Sequence, residues 1–462
     1  MILFSKKIPI LKNLFFALKI NSNSVLLRAL LASCLTFQTA VADTFRILNN
    51  DRESLQCRID LIEQANKEIL LSYFIVNDDL VGKALFQLLV EAAQQRRVKV
   101  CLLIDAVRSR IARPTIAFLE ENGVEVQVFN PARLFKPRSI THRLHDKIFM
   151  TDARNCITGG RNIKRDYYEL GEQFNFTDRD VLIEGNNAIY IARNHFYSIW
   201  NNRKLSFRRK VKPISDTQRK HIAAELVQAL NTLQQTGVIH LKTNTQWNDV
   251  PPTTAPVQFA HDDFYKKKGN KIIETDKKDL GSTNAFLNLI NNARQSVIIE
   301  NAYIVPTPKM KRTLRRAVKR GIYIRMLTNS EATNDVMLSH AAYLIGRKEL
   351  LKMGIEIWEY QGPKMLHTKA AVIDDTISVI GSYNLHAVSQ KWTTEVFAWV
   401  ADPQISRQHR AIMDNNLLSA VQIGCNNRPT PATASRLKKP DFNRRLRTFL
   451  ARYTVAYLLK II

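Results

Sequence analysis

From Phe45 onward the apolar positions of the chain switch repeatedly between two periods. Residues 54–66 carry Leu55, Ile59 and Ile62 at helical spacing, and 68–76 is rich in β-forming residues. Residues 80–95 return to the helical period, and 98–105 is a short apolar run that reads as a buried strand. The same logic predicts a helix at 111–122, strands at 124–129, 145–152 and 178–184, and a helix at 187–202. The second half repeats the plan, with helices at 284–293, 310–320, 336–353 and 403–423. Its strands fall at 296–305, 322–327, 355–360, 367–374 and 394–400. Strands alternating with helices predict an α/β fold whose mixed or largely parallel sheets are covered by helices on both faces. Matched elements lie about 222 to 229 residues apart, a duplication of whole domains rather than a short-repeat solenoid. The implied domains are 45–203 and 257–425. Between them, 204–256 reads as a linker with an inserted helix near 218–235. A distinct segment, 1–42, precedes them and a basic tail, 426–462, follows.

Two strands of this pattern carry the same polar residues. His145, Lys147 and Asp152 stand at the spacing His-x-Lys-x-x-x-x-Asp, and His367, Lys369 and Asp374 repeat it. Each set leads to a small-residue turn with an asparagine, Gly159-Gly160-Arg161-Asn162 and Gly381-Ser382-Tyr383-Asn384. In extended chain, residues two apart share a face, so each His and its Lys project into one space. An imidazole can attack phosphorus or move a proton near neutral pH. An ammonium and an amide beside it can neutralise and bind non-bridging oxygens. One His cannot be nucleophile and leaving-group acid at once, so two copies predict a single site where the halves meet.

These paired motifs resemble those of the phospholipase D superfamily. The flanking text, Tyr73-Phe74-Ile75, Phe129-Asn130-Pro131, Leu327-Thr328-Asn329-Ser330 and Gly381-Ser382-Tyr383-Asn384-Leu385, is similar to bacterial cardiolipin synthases, best to their C-type, lipoprotein-like branch. The resemblance spans roughly 45–423 and implies two duplicated α/β/α sandwich domains with one active site at their interface. It implies a phosphatidyltransferase that cleaves a phospholipid phosphodiester through a phosphohistidine and passes the phosphatidyl group to a second lipid alcohol. His145 would be the nucleophile and His367 the proton donor and acceptor, with Lys147, Lys369, Asn162 and Asn384 on the phosphate. Downstream carboxylates that could orient the imidazoles are Asp178, with Asp180 along the same strand face, and Glu395; the resemblance points to Asp178 and Glu395. Asp152 and Asp374 complete the catalytic motif, but as strand-ending residues they read as carboxylates that fix loops. No metal or organic cofactor is implied. His142 falls on a loop, and His340, at a helix start that the resembled synthases share, would border a lipid head group.

Charge then bears on the partner. The 462-residue chain has a net charge of +27, which calls for an anionic partner, nucleic acid or an acidic membrane. Basic clusters lie at Lys266-Lys267-Lys268, Lys271, Lys277 and Lys278, and at Arg436, Lys438, Lys439, Arg444, Arg445 and Arg447. The second leads into an apolar, aromatic-flecked end at 449–462, suited to an interfacial helix on anionic phospholipid. Residues 1–42 contain five basic residues and no acid before Ala29-Leu30-Leu31-Ala32-Ser33-Cys34, an export-signal pattern. Leu31-Ala32-Ser33-Cys34 resembles a lipobox, Ala40-Val41-Ala42 an ordinary cleavage site, and 25–42 is just long enough to remain as an anchor. All three export the chain or tie it to a membrane, which points to the bacterial envelope; a cytosolic chain with an amphipathic arm at 8–20 is the alternative. The five cysteines show neither metal spacing nor a close pair, which predicts no required disulfide and no structural zinc. Hydrolysis to phosphatidic acid and a nuclease acting on nucleic-acid phosphodiesters are the alternative activities. The export pattern and apolar end favour lipid over an obligatory nucleic acid. A non-catalytic envelope-binding role ranks last, because every motif residue is intact.

Overall fold

A computed structural model describes residues 43–132, 141–242, 251–268, 271–274 and 279–461, with side chains of 265–274 and 456–461 not described. The segment 1–42, with Cys34 and the cleavage-like sites, therefore lies outside the described residues, as do the side chains of the lysine cluster at 266–278.

The two halves build two mixed sheets with the same strand order. In the first, nine strands run Thr253–Thr254, Thr44–Leu48, Asp180–Glu184, Asn155–Gly159, Lys147–Thr151, Glu68–Tyr73, Lys99–Asp105, Val124–Phe129 and Ser206–Arg208. In the second, eight run Val257–His261, Val396–Ala401, Ile377–Gly381, Lys369–Ile373, Ser296–Asn301, Tyr323–Asn329, Glu356–Tyr360 and Ala420–Ile423. Each sheet has three parallel strands, with helices Leu80–Gln95 and Arg113–Glu121 or Pro308–Lys319 and Met337–Lys352 as crossovers. The fold is thus two α/β domains of the same plan in tandem.

Each motif strand is the first arm of a hairpin. Lys147–Thr151 turns back as Asn155–Gly159, and Lys369–Ile373 as Ile377–Gly381. The turns hold Asp152 and Ala153, and Asp374 and Asp375, all at left-handed φ of 51 to 54°. Aspartate tolerates that conformation better than most residues because its carboxylate can bond locally. The Asp152 carboxylate accepts from the backbone N–H groups of Asn66, Lys67 and Glu68, and Asp374 from those of Arg294, Gln295 and Ser296. Each motif aspartate thereby ties its hairpin to the next strand of the sheet.

One apolar core covers the outer face of the first sheet. A second joins the inner face and helix Asn187–Trp200 to Val257, Phe259, Ile380, Val396 and Ala398 of the second half. The halves share this core, so neither buries its inner face alone. The shared surface also contains a buried cross-half ion pair, Arg179–Glu300, at 2.9 Å.

Several predicted boundaries move. The segment 204–256 is more than a connector: Ser206–Arg208 and Thr253–Thr254 edge the first sheet, and helix Asp216–Gln235 buries Ile222, Leu226 and Leu233 in its core. Helix Pro403–Asn416 ends seven residues before the predicted limit, and Ala420–Ile423 instead forms an edge strand against Glu356–Tyr360. An apolar run that short fits either period, and only the neighbouring strand decides. The strand predicted at 296–305 breaks after Asn301. Cys57, Cys101 and Cys156 are buried and Cys425 is exposed.

Candidate active site

Both motif histidines sit just before their strands, which begin at Lys147 and Lys369. Each is clamped by the opposite half. His145 Nδ1 donates to Glu395 Oε2 at 2.9 Å, and His367 Nδ1 donates to Asp178 Oδ2 at 2.6 Å. Backbone contacts are reciprocal too. The N–H of Arg143 donates to Trp392 and that of Thr394 to Arg143, while Thr394 Oγ1 accepts from His145 N–H at 2.9 Å. On the other side Met365–Leu366 pairs with Phe176–Thr177, and His367 N–H donates to the Thr177 carbonyl at 2.8 Å. Each imidazole is therefore positioned by the residues that carry its carboxylate.

The carboxylates are held in turn. Glu395 accepts from the hydroxyls of Ser382, Ser389 and Thr393. Asp178 lies against Gly160, where an added Cβ would fall 2.0 Å from the carboxylate. At Gly159 a Cβ would meet Asp180 and the Arg179 carbonyl, while the close approach of Asp178 explains Gly160. The matching place in the second turn is Ser382, whose hydroxyl binds Glu395 instead of making room for it.

Lys147 Nζ donates to the His145 carbonyl at 2.9 Å, while Lys369 Nζ donates to the His367 carbonyl and lies 2.8 and 3.2 Å from that ring's Nδ1 and Nε2. Burial, then the repulsion of Lys369, brings the Lys147 ammonium down to about 7. Burial brings Lys369 down to about 8, against the pull of Asp178 and Glu395. Burial also depresses both imidazoles. Lys147, Lys369 and His367 push His145 further down, so it falls well below the usual histidine range. Asp178 partly offsets the effect at His367. Asp178 itself lies below the usual carboxylate range: burial raises it, but Lys369 and His367 outweigh that. The two half-sites thus sense each other's charges, as one site requires.

Other sequence candidates are placed as follows. Asn162 is buried, its Oδ1 accepting from Ile75 N–H and its Nδ2 donating to the Tyr167 hydroxyl. Asn384 is buried with an unpartnered Oδ1. Asp180 does not serve a histidine, a correction to its grouping with Asp178; it accepts from Ser54 and Arg58 and pairs with Arg161. Asp152 and Asp374 lie at the far ends of their strands from the imidazoles, where their carboxylates bind backbone N–H groups. His142 lies ahead of the motif strand, and its carbonyl accepts from Asn130. His340 is buried in helix Met337–Lys352. Motif spacing missed the aromatic walls, Phe74 at 4.8 Å from the His145 ring and Tyr167 and Phe176 at 5.2 and 5.0 Å from His367. Phe74 stands in the flanking text Tyr73-Phe74-Ile75, and Phe176 lies two residues before Asp178; nothing along the chain marks Tyr167. Asp146, between His145 and Lys147, is likewise unmarked by the motif; it accepts from His195 Nε2 at 2.8 Å and anchors the loop.

Comparison with known proteins decides the family. The family described as "Cardiolipin synthase, PLD-like domain" matches residues 59–200 and 286–417, more than half of the chain and one stretch in each half. The chain belongs to that family. It is 28% identical over 386 residues to cardiolipin synthase C of Escherichia coli (strain K12), covering 76% of this chain and 79% of the relative. It is 25% identical over 381 residues to the major cardiolipin synthase of Bacillus subtilis (strain 168), covering 80% and 68%. Among solved structures, phosphatidylserine synthase of Haemophilus influenzae Rd KW20 aligns over 90% of this chain and 95% of its own, with a TM-score of 0.63 and 14% identity, a likeness of fold. Both motif histidines fall inside the matched stretches.

Proposed function

We propose that this cardiolipin synthase-family enzyme is a phosphatidyltransferase joining two phospholipids into cardiolipin. The observation that carries the reading is the reciprocal clamp, His145 on Glu395 and His367 on Asp178, in a chain of that family. With Nδ1 of each ring bonded to a carboxylate, Nε2 is the nitrogen left for chemistry.

His145 Nε2 attacks the phosphorus of the donor lipid, a P–N bond forms, and the bond to the head-group oxygen breaks. His367 gives that oxygen its proton. The acceptor's hydroxyl then returns a proton to His367, attacks phosphorus, and expels His145. Water in place of the acceptor yields phosphatidic acid. The charge environment supports this division, since the more strongly depressed His145 stays neutral and nucleophilic while Asp178 helps His367 hold a proton. Lys147 and Lys369 supply the positive charge that offsets the non-bridging oxygens, and Asn384 and Asn162 line the turn beside them.

The membrane partner is supported by helix Phe442–Ile461. It packs Ala451 and Val455 on Ala341 and exposes Phe442, Leu446, Phe449, Leu450 and Tyr453 beside Arg445, Arg447 and Arg452. No helix among the described residues is long and apolar enough to cross a membrane. We read this one as lying in an anionic lipid surface, in a bacterial envelope protein.

The test uses purified full chain, vesicles of phosphatidylglycerol labelled in the bridging phosphate, and rapid acid-free quenching. Cardiolipin and an acid-labile label on residue 145 are expected, with neither from His145→Ala. Label on His367 alone would reverse the two roles, and no lipid product from wild type would refute the function.

A further inference from the structure

A cavity of about 530 Å³ opens between the loop after Asn329 and helix Phe442–Ile461, outside the pair of imidazoles. His340 lines it, only 2% exposed, with neither ring nitrogen hydrogen-bonded. A buried imidazole with two idle nitrogens is costly unless something fills the space beside it. Arg444 and Arg447 line the same cavity, and Arg444 braces the loop by donating to the Asn334 carbonyl. Asp335, also in the wall, accepts from the Tyr303 hydroxyl at 2.6 Å, and the Tyr303 ring stands edge-on to His367 at 6.4 Å. One hydrogen bond and one ring contact thus separate the cavity wall from the proposed general acid and base.

The lining is mixed. Two guanidinium groups suit a phosphodiester. Glu331, Asp335 and Asp441 are acceptors, which a bare anion would avoid and alcohol groups would use. The imidazole is neutral, since burial first, then Arg347 and Arg444, bring it to about 3, so it offers one donor and one acceptor. The exposed apolar side chains of the adjoining helix put the mouth beside the proposed lipid surface.

We propose that this cavity binds the head group of the acceptor lipid, an anionic phosphodiester bearing free hydroxyls, with Arg444 and Arg447 on the phosphate and His340 on a hydroxyl. The assignment rests on the transferase reading above and adds to it the place where the second lipid waits. Its consequence is partition: an enzyme that loses the acceptor site hands its phosphatidyl group to water.

The test measures the ratio of cardiolipin to phosphatidic acid from phosphatidylglycerol vesicles for wild type, Arg444→Ala, Arg447→Ala, His340→Ala and His340→Gln. A ratio lowered about tenfold in the alanine variants is expected, with His340→Gln, which keeps a donor and an acceptor, nearer to wild type. Arg447 is exposed, so its variant keeps the test valid if His340→Ala does not fold. A ratio within about twofold of wild type in Arg444→Ala and Arg447→Ala would overturn the acceptor site while leaving the transferase reading intact. Wild type forming no cardiolipin would overturn the transferase reading itself. A wild-type melting temperature raised by millimolar inorganic phosphate, lost in Arg444→Ala with the ratio unmoved, would mark a free-phosphate site and overturn the lipid assignment.

Discussion

His367 is held by Asp178, a carboxylate 189 residues earlier in the chain, at 2.6 Å across the boundary between the halves. Its mirror, His145 on Glu395, spans 250 residues in the other direction. Neither motif histidine finds its carboxylate within its own half, so the proposed chemistry needs both halves docked. Asp178→Asn keeps the shape but loses the charge that favours a protonated His367. We expect a fall in kcat/KM of about a hundredfold or more, with little change in melting temperature. Steady-state lipid assays and calorimetry on one preparation check this, and a variant within threefold of wild type would remove Asp178 from the mechanism.

Gly160 gives a steric test of the same contact. A methyl there would sit 2.0 Å from Asp178 Oδ1, so the carboxylate must move off His367. Gly160→Ala should lose about tenfold or more in activity, and Ser382→Ala, at the matching place, should lose less because two hydroxyls still hold Glu395. Equal losses would show that the two turns do not position their carboxylates differently.

The repeat, the histidines and lysines, and the parallel core strands were legible because each has a local signature: fixed spacing, apolar runs, helical periodicity. The partner of each imidazole was legible only as a pair of candidates, Asp178 and Glu395, since nothing along the chain says that each serves the histidine of the other half. Asp180 shares the local text of Asp178, and only the arrival of Arg58 and Arg161 separates their roles. The edge strand Ala420–Ile423 was lost because four apolar-flecked residues after a helix fit its period until a neighbouring strand offers a ladder. Aromatic walls such as Tyr167 and Phe176 have no spacing rule at all.

The motif aspartates should read as stability. Asp374 accepts from three backbone N–H groups at 2.7 to 2.9 Å, and its removal strands donors at the entrance to a core strand. Asp374→Ala is expected to cost about 1–3 kcal/mol, seen as a drop in melting temperature of roughly 2–4 °C per kcal/mol. Activity per folded molecule should change far less than in Asp178→Asn. A hundredfold loss of kcat at unchanged stability would return Asp374 to the catalytic residues.

The lysines set an upper pH limit. Lys147 at about 7 and Lys369 at about 8 are charged below those values and neutral above them. An anionic phosphodiester needs them charged, and kcat/KM reports the free enzyme. It should therefore decline as pH rises through this range, beyond the loss of the His367 proton, which burial brings to lower pH, while His145, already neutral, adds no limb of its own near neutrality. Lys147→Arg replaces a titrating ammonium with a permanently charged guanidinium and should carry the decline to higher pH, whatever its effect on the maximum. An unmoved limb would place the titration elsewhere.

Helix Phe442–Ile461 gives the last test, because its two faces predict different losses. The inner face, Ala451 and Val455 against Ala341, is packing, and changes there should lower stability. The outer face leaves Phe442 and Tyr453 about two-thirds exposed, at 68% and 65%, an arrangement that water disfavours and a lipid interface rewards. Each basic residue near an anionic surface adds about 1 kcal/mol, so charge and apolar contact act together. Phe449→Ser with Leu450→Ser should leave the melting temperature unchanged and cut co-sedimentation with anionic vesicles at least tenfold, since about half of each side chain is exposed, at 51% and 56%, and burying that half contributes about 1 kcal/mol each. Raising salt should weaken wild-type binding and leave the double variant's residue of binding more salt-sensitive still, because only charge remains. Retained binding in the double variant at low and high salt alike would exclude this helix as the membrane contact.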